Sequence, residues 1–281
     1  MIIVKLIGGL GNQMFQYAIG RAIAYKNNDV FKLDITGFKN YKFHNGYRLN
    51  AFNIDEKIAY IDEIKQLGVR NKILNKLLRM GIYNYKKDTF YVEKPKNETK
   101  FDPKVFSYKN LYLNGYWQNE KYFLDIKDII VKEFTLKKSI NENATKYMKF
   151  IKNSNSISIH VRRGDYLKTD SFLGIEYYRK AYAYILDKID NFSFFIFSDD
   201  IEWCKENLNF IANPIFVENT TNELEDLELM KNAKHNIIAN SSFSWWAAWL
   251  NTNKDKIIIA PNIWFKCRYG FDPVPETWIK L

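Results

Sequence analysis

Arg162 and Arg163 follow directly on an apolar run, Ser156-Ile157-Ser158-Ile159-His160-Val161, and lead into Gly164-Asp165-Tyr166. A guanidinium is planar, permanently charged and able to hold an anion's oxygens with two parallel hydrogen bonds. A pair of them at the carboxyl end of a buried strand therefore reads as an anion clamp. The plain alternative is a salt-bridged surface turn, and the neighbouring His160, Gly164 and Asp165 weigh against it. Ser241, Ser242 and Ser244 offer hydroxyls at the start of a second apolar stretch around Phe243, where the amides of a helix start would also take phosphate. Asp199 and Asp200 close a further apolar run over 192–197. They could accept hydrogen bonds from a base or sugar; metal ligation is the weaker reading, because N-capping of the next helix accounts for one of them. His160 could be a base contact, a general base or a satisfied core histidine, the last being the usual outcome. His44 and His235 carry no partner signal, no histidine–cysteine cluster suggests zinc, and no nucleophile-elbow sequence supports a hydrolase triad.

Near the start, Gly8-Gly9-Leu10-Gly11-Asn12-Gln13 separates a short apolar strand from a helical pattern. It begins like a dinucleotide fingerprint, but Met14 stands where the third glycine or alanine belongs. No Lys-Ser or Lys-Thr follows to make a phosphate loop. What survives is a close backbone approach at a helix start, with the amides of Asn12 and Gln13 facing a ligand; a tight turn needing glycine for backbone reasons alone fits equally well. Trp245, Trp246 and Trp249 recur at helical spacing and read first as packed core. Trp117, in Gly115-Tyr116-Trp117-Gln118, reads as a surface on which a sugar ring could stack.

These residues have to be positioned by ordered elements. Strands are expected at 2–7 and 30–35 around a helix, giving a βαβ start and hence a parallel sheet. The region 37–109 is less regular, with short helices near 61–78 and a strand at 90–92. A strand at 111–113, a helical pattern over 119–134 and a helix at 140–151 follow. The turn Lys152-Asn153-Ser154-Asn155 is expected to divide two domains, 1–150 and 151–281. Beyond it strands at 156–161, 192–197, 215–217, 235–239 and 256–260 alternate with helices at 175–189, 201–208, 223–233 and 243–250. That alternation predicts an α/β, doubly wound parallel sheet. Ligands of such sheets bind outside the carboxyl ends of the strands, so Arg162-Arg163, Ser198-Asp199-Asp200 and Asn240-Ser241-Ser242 should share one rim.

Composition narrows the function classes. The chain has 281 residues, 47% of them hydrophobic and 17% aromatic, which argues for a packed globular protein and against disorder. No apolar run approaches the roughly 20 residues of a membrane-spanning helix. The N-terminus reads as a first strand rather than a signal peptide, and Cys204 and Cys267 show no metal-ligand spacing, so a reducing, cytoplasmic setting is expected. The net charge of +10 is compatible with nucleic acid, an acidic membrane face or small anions. Its lysines are scattered, which weighs against a nucleic-acid arm and leaves peripheral attraction to the inner face of the cytoplasmic membrane open.

Taken in order, Gly8 to Ala18, Gly115-Tyr116-Trp117-Gln118, His160 to Tyr166, Phe197-Ser198-Asp199-Asp200, Asn240 to Trp246 and Ile259-Ala260-Pro261 make the chain resemble the inverting α-1,2-fucosyltransferases. The resemblance implies a GT-B-like fold, two Rossmann-type domains facing across a cleft, the C-terminal one holding the donor and the N-terminal one on the acceptor side. It implies GDP-fucose as donor substrate, a galactose-terminated oligosaccharide or polysaccharide as acceptor, and no metal or other cofactor. On this resemblance Arg162 contacts the pyrophosphate, Arg163 and Asp165 shape the loop or touch the donor, and His160, Asp199 and Asp200 face the guanine. Ser241, Ser242, Phe243 and Ser244 bind phosphate, Gly11 and Asn12 close over the donor, and Trp117 and Gln118 meet the acceptor. Asp165 and Asp170 are the candidates for a general base; a strongly oxocarbenium-like transition state would need none. A nucleotide-dependent oxidoreductase, favoured by the βαβ start but opposed by the failed third glycine, and a polyanion-binding protein, favoured by charge, are the rival readings.

Overall fold

The computed structural model describes residues 1–39, 45–68, 77, 88–94, 99–168, 171–265, 268 and 270–281, and the backbone alone at Asp165 and Lys168. The chain divides into two compact units, Met1–Lys137 and Lys138–Leu281. The division falls earlier than the turn expected to mark it, because the helix Glu142–Asn153 packs into the second unit. Asn141 caps that helix, its side chain accepting from Ala144 N at 2.7 Å, and donates its own N–H to Glu225 at 2.7 Å. Ala144 and Ile151 on the helix's inner face are fully buried.

In the first unit β1 (Ile2–Lys5) lies between β2 (Phe31–Asp34) and β4 (Leu111–Asn114), and β3 (Phe90–Val92) completes a parallel sheet in the order β2-β1-β4-β3. Ile2, Ile3 and Val4 are wholly buried, as a strand covered on both faces requires. The helix Leu10–Asn27 ends at Asn28, whose left-handed backbone turns its N–H back onto the carbonyls of Ala24 and Tyr25. The pattern read as helical over 119–134 is helix only at Lys127–Glu133. Before it run the 3-10 turns Glu120–Tyr122 and Leu124–Ile126, begun by the Asn119 side chain, which accepts from Lys121 N at 2.9 Å and competes with α-helical pairing there. Of the helical stretch expected near 61–78, Ile61–Leu67 is helix, closed by Gly68, and the remainder, Leu77 apart, lies outside the described residues.

The second unit is built on β5 (Asn155–Val161), β6 (Phe192–Ser198), β7 (Ile215–Phe216), β8 (His235–Ile237), β9 (Ile258–Ala260) and β10 (Ile279–Lys280), all parallel, in the order β10-β9-β8-β5-β6-β7. The chain fills the sheet outward from β5 through β6 to β7, then returns to the other side of β5 for β8. The doubly wound expectation is met, and the switch point lies between β5 and β8.

Alternation along β5 sets its two faces. Ile157, Ile159 and Val161 join Tyr178, Ala181 and Ile185 of the helix Ile175–Lys188 in one core. Ser156, Ser158 and His160 point the other way. Ser158 Oγ accepts from Asn236 Nδ2 at 2.7 Å, and Asn251 in turn donates to Asn236 Oδ1 and to Ala233 O. The short polar side chains admit the helix Ser242–Leu250, whose Trp245, Trp246 and Trp249 are buried, Trp245 stacked on Trp249 and Trp246 edge-on to both. They are core, as their spacing implied. Among the described residues no helix is long and apolar enough to cross a membrane.

Candidate functional site

The register of β5 and β6 does most of the site's construction. Val161 pairs with Ser198, so the next residues of the two strands, Arg162 and Arg163 against Asp199 and Asp200, emerge side by side. Arg162 Nη1 lies 2.9 Å from Asp199 Oδ2, and Arg163 Nε lies 3.0 Å from Asp200 Oδ2. Asp199 also accepts from the backbone N–H of Arg163 at 2.9 Å. A Cβ on Gly164 would sit 2.5 Å from Asp199 Oδ2, so a larger residue there would push this carboxylate off its bonds to Arg162 and to Arg163 N.

The two arginines are held differently. Arg163 Cζ stands over the Trp203 ring, 3.9 Å from its centroid, and the side chain is 14% exposed. Its partner Asp200 is the N-cap of the helix Ile201–Asn207, accepting from Trp203 N. Arg163 is thus tied into the fold. Arg162, twice as exposed at 28%, approaches the Tyr166 ring, and Tyr166 OH donates to Asn240 O across the switch point at 3.1 Å. Asp199 and Asp200, expected to face a base, are the arginines' partners in this structure.

Beyond the switch point Ser241 caps the helix Ser242–Leu250 by accepting from Phe243 N, and Ser242 and Phe243 are half-buried at the rim. Ser244 is buried and donates its hydroxyl back to Ala239 O and Ser241 O, so its Oγ serves the helix start, not a ligand. The helix start itself keeps the dipole and amides that favour an anion. The Asn240 side chain spans from β8 to two other loops, donating to Ser171 O and Trp264 O.

His160 is buried, its ring 5.6 Å from that of Phe243, and its Nδ1 has no hydrogen-bond partner. Burial first, then the Arg162 charge, push its pKa down to about 3. It is therefore a neutral imidazole, able to accept or donate one hydrogen bond but not to gather a proton near neutrality. Because its folded pKa lies below the ordinary 6.5, the unfolded chain takes up a proton that the native one refuses. Stability should fall as pH drops below 6.5 toward 3, this residue contributing a slope of up to ~1.4 kcal/mol per pH unit. Urea midpoints compared at neutral and mildly acid pH for wild type and His160→Gln check this; an unchanged slope in the variant would remove the assignment.

Sequence reasoning passed over Asp226, in the first turn of the helix Glu223–Asn232. Burial raises its carboxyl to about 6, with Glu225 and Glu223 adding to the shift against a lowering hydrogen bond from Thr220. In a parallel βαβ unit a helix starts at the strands' carboxyl rim, so this perturbed carboxyl stands on the same rim as Arg162. Its signal in the sequence is one acid among Glu223, Glu225 and Glu228 at a helix start, a pattern that dipole pairing explains as well.

In the first unit the corresponding switch point lies between β1 and β4, and the candidates again flank it. Gly8 has φ +79°, and a Cβ there would meet Asn12 Nδ2 at 2.7 Å. Asn12 Oδ1 accepts from Gln118 Nε2 at 2.7 Å, joining the loops after β1 and β4 beside Gly11. Gln13 and Gln16 are fully buried and brace the turn, donating to Gly8 O, Gly46 O and Gly115 O. Trp117 corrects an expectation. Its ring is 1% exposed and packs against Tyr91 and Tyr122, because a left-handed backbone (φ +58°) turns it inward, so a sugar has no face of it to stack on.

The general-base candidates cannot be placed in this way: Asp165 is described by its backbone, in the 3-10 turn Gly164–Lys168, and Asp170, like His44 and Cys267, lies outside the described residues. Among the described residues no three His, Cys, Asp or Glu side chains are gathered as a metal site would gather them.

A family model described as glycosyl transferase family 11 matches residues 1–270. An alpha-1,2-colitosyltransferase of Escherichia coli is 38% identical, the match covering 100% of this chain and 99% of the relative. The O-antigen biosynthesis glycosyltransferase WbnK of Escherichia coli is 32% identical over 98% of this chain and 99% of its own. A galactoside alpha-(1,2)-fucosyltransferase 2 of Rattus norvegicus is 25% identical over 89% of this chain and 67% of its own. Among solved structures, the fucosyltransferase NodZ from Bradyrhizobium superposes with a TM-score of 0.52 at 12% identity, over 88% of this chain and 92% of its own. The last is a likeness of fold, and it places the two parallel-sheet units in the GT-B class.

Proposed function

The chain belongs to glycosyl transferase family 11, and we propose that it moves L-fucose from GDP-β-L-fucose to the 2-hydroxyl of a terminal galactoside, with inversion and without a metal. The observation that carries this reading is the Arg162 guanidinium. It is fixed at 2.9 Å by Asp199, 28% exposed, and stands across the switch point from the start of the helix Ser242–Leu250. Breaking the bond between fucose and GDP places growing charge on the β-phosphate. Donors already in position meet that charge without reorganisation, which is what Arg162 and the Ser242 amide at the capped helix start supply. His160, neutral and with Nδ1 unpartnered, is given to the guanine, with Asp199 and Asp200 orienting the arginines beside it. In the first unit the same proposal gives Gly11 and Asn12 to the donor and Gln118 to the acceptor. Asp165 or Asp170 is the general base if one is used.

A second donor deserves its own arm of the test, because the relative at 38% identity is named a colitosyltransferase. The experiment is transfer from GDP-fucose and GDP-colitose to lactose-type and O-antigen-type galactosides, with and without EDTA, the product linkage being read by NMR. An α-1,2 linkage formed at an EDTA-insensitive rate is expected. Transfer from neither donor to any galactoside, or turnover of a nicotinamide cofactor instead, would sink the proposal; a preference for GDP-colitose would keep the mechanism and change the sugar.

A further inference from the structure

We propose that the outer face of the helix Glu142–Asn153 docks on an anionic lipid membrane. The helix carries Lys146, Lys149 and Lys152 against the single carboxylate of Glu142. Ala144 and Ile151 take the buried side, which at helical spacing turns Lys146, Lys149 and Asn153 outward in one row. All three lysines are exposed and none forms an ion pair with another described residue. Phe150, beside the row, is 64% exposed, which no packing role in this unit explains.

The flank of the helix adds a second observation. Lys146, Tyr147 and Phe150 line a groove of about 460 Å³ together with Ile215 of β7, the edge strand of the sheet. A cation and apolar side chains lining one groove complement a phospholipid, which joins a phosphate to acyl chains. Glu218, also on the groove, is already held by Lys205 at 2.8 Å, so its charge is partly met. An acidic peptide would want donors in pairs along the groove; a row of separate lysines on a convex helix, with an exposed aromatic among them, suits a surface of many headgroups. The net charge of +10 favours the approach.

The test is sedimentation of the full chain with vesicles of phosphatidylcholine, with or without about a third phosphatidylserine, near physiological salt. Wild type should bind the anionic vesicles and leave the neutral ones. Lys146→Gln/Lys149→Gln/Lys152→Gln should weaken binding roughly a hundredfold, about fivefold per lysine. Phe150→Ser should weaken it about tenfold at every salt concentration. Unchanged circular dichroism and urea midpoints show that the variants fold. Equal binding to neutral vesicles, an undiminished triple variant, or no vesicle binding at all would overturn the proposal. So would a dimer in light scattering that Phe150→Ser dissolves while vesicles are ignored, which would give the face to a second copy, or binding of polyglutamate without binding of vesicles.

Discussion

Replacing Arg162 with alanine should lower transfer roughly a thousandfold while leaving the fold's stability within ~1 kcal/mol of wild type. The rate effect follows from position: this guanidinium stands at the switch point of a doubly wound sheet, where a leaving diphosphate would need a donor it does not have to reorient. The stability effect follows from exposure. Both members of the Arg162–Asp199 pair are 28% exposed, and Asp199 keeps its bond from Arg163 N when the side chain is removed. Arg162→Lys should restore little, because an ammonium is a point charge that cannot hold Asp199 and a phosphate in the planar fork geometry. Arg163→Ala should behave in the opposite sense, costing stability more than rate, since it takes away the cover over Trp203 and the partner of a helix cap. Turnover with a GDP-sugar donor and a galactoside, measured beside urea unfolding, separates the two arginines. Wild-type turnover in Arg162→Ala would refute the assignment.

The contrast between these neighbours shows what the residue order could and could not disclose. The strands of the second unit were legible because runs such as Phe194 to Phe197 are apolar on both faces, as a strand between two helical layers must be. That the loops after β5, β6 and β8 share a rim followed from alternation alone. The pairing of Arg162 with Asp199 did not, because it depends on the register of Val161 with Ser198, which no local pattern encodes. The division near 150 failed for a related reason: the Asn153-Ser154 turn has a linker's composition, but the helix before it is held by Ala144 and Ile151 and by the Asn141–Glu225 bond. The two-residue strand β10 (Ile279–Lys280) offers too little pattern to be read. Ser244 looked like its neighbours and turned out to bond its own helix start.

Trp117→Ala should destabilise the first unit by ~3–5 kcal/mol, the cost of emptying a large buried site, rather than weaken acceptor binding in a folded enzyme. The ring is 1% exposed between Tyr91 and Tyr122, and the Trp117 backbone N–H is taken by Glu93, whose Oε1 and Oε2 lie 3.1 and 3.0 Å away. Trp117→Phe is the discriminating variant. It retains most of the packing and removes an indole Nε1 that is buried without a partner, so relief of that donor should offset part of the lost volume. Acceptor KM should then equal that of wild type. A raised acceptor KM with unchanged stability would return the residue to the role of a sugar platform. The left-handed φ of +58° is costly for a bulky side chain, and the neighbouring geometry gives a reason to bear it: the same turn brings Gln118 Nε2 to 2.7 Å from Asn12 Oδ1. Trp117 thus acts on the rim through Gln118. Its loss should be felt there as a loosened Asn12 contact only after the unit's core has already given way.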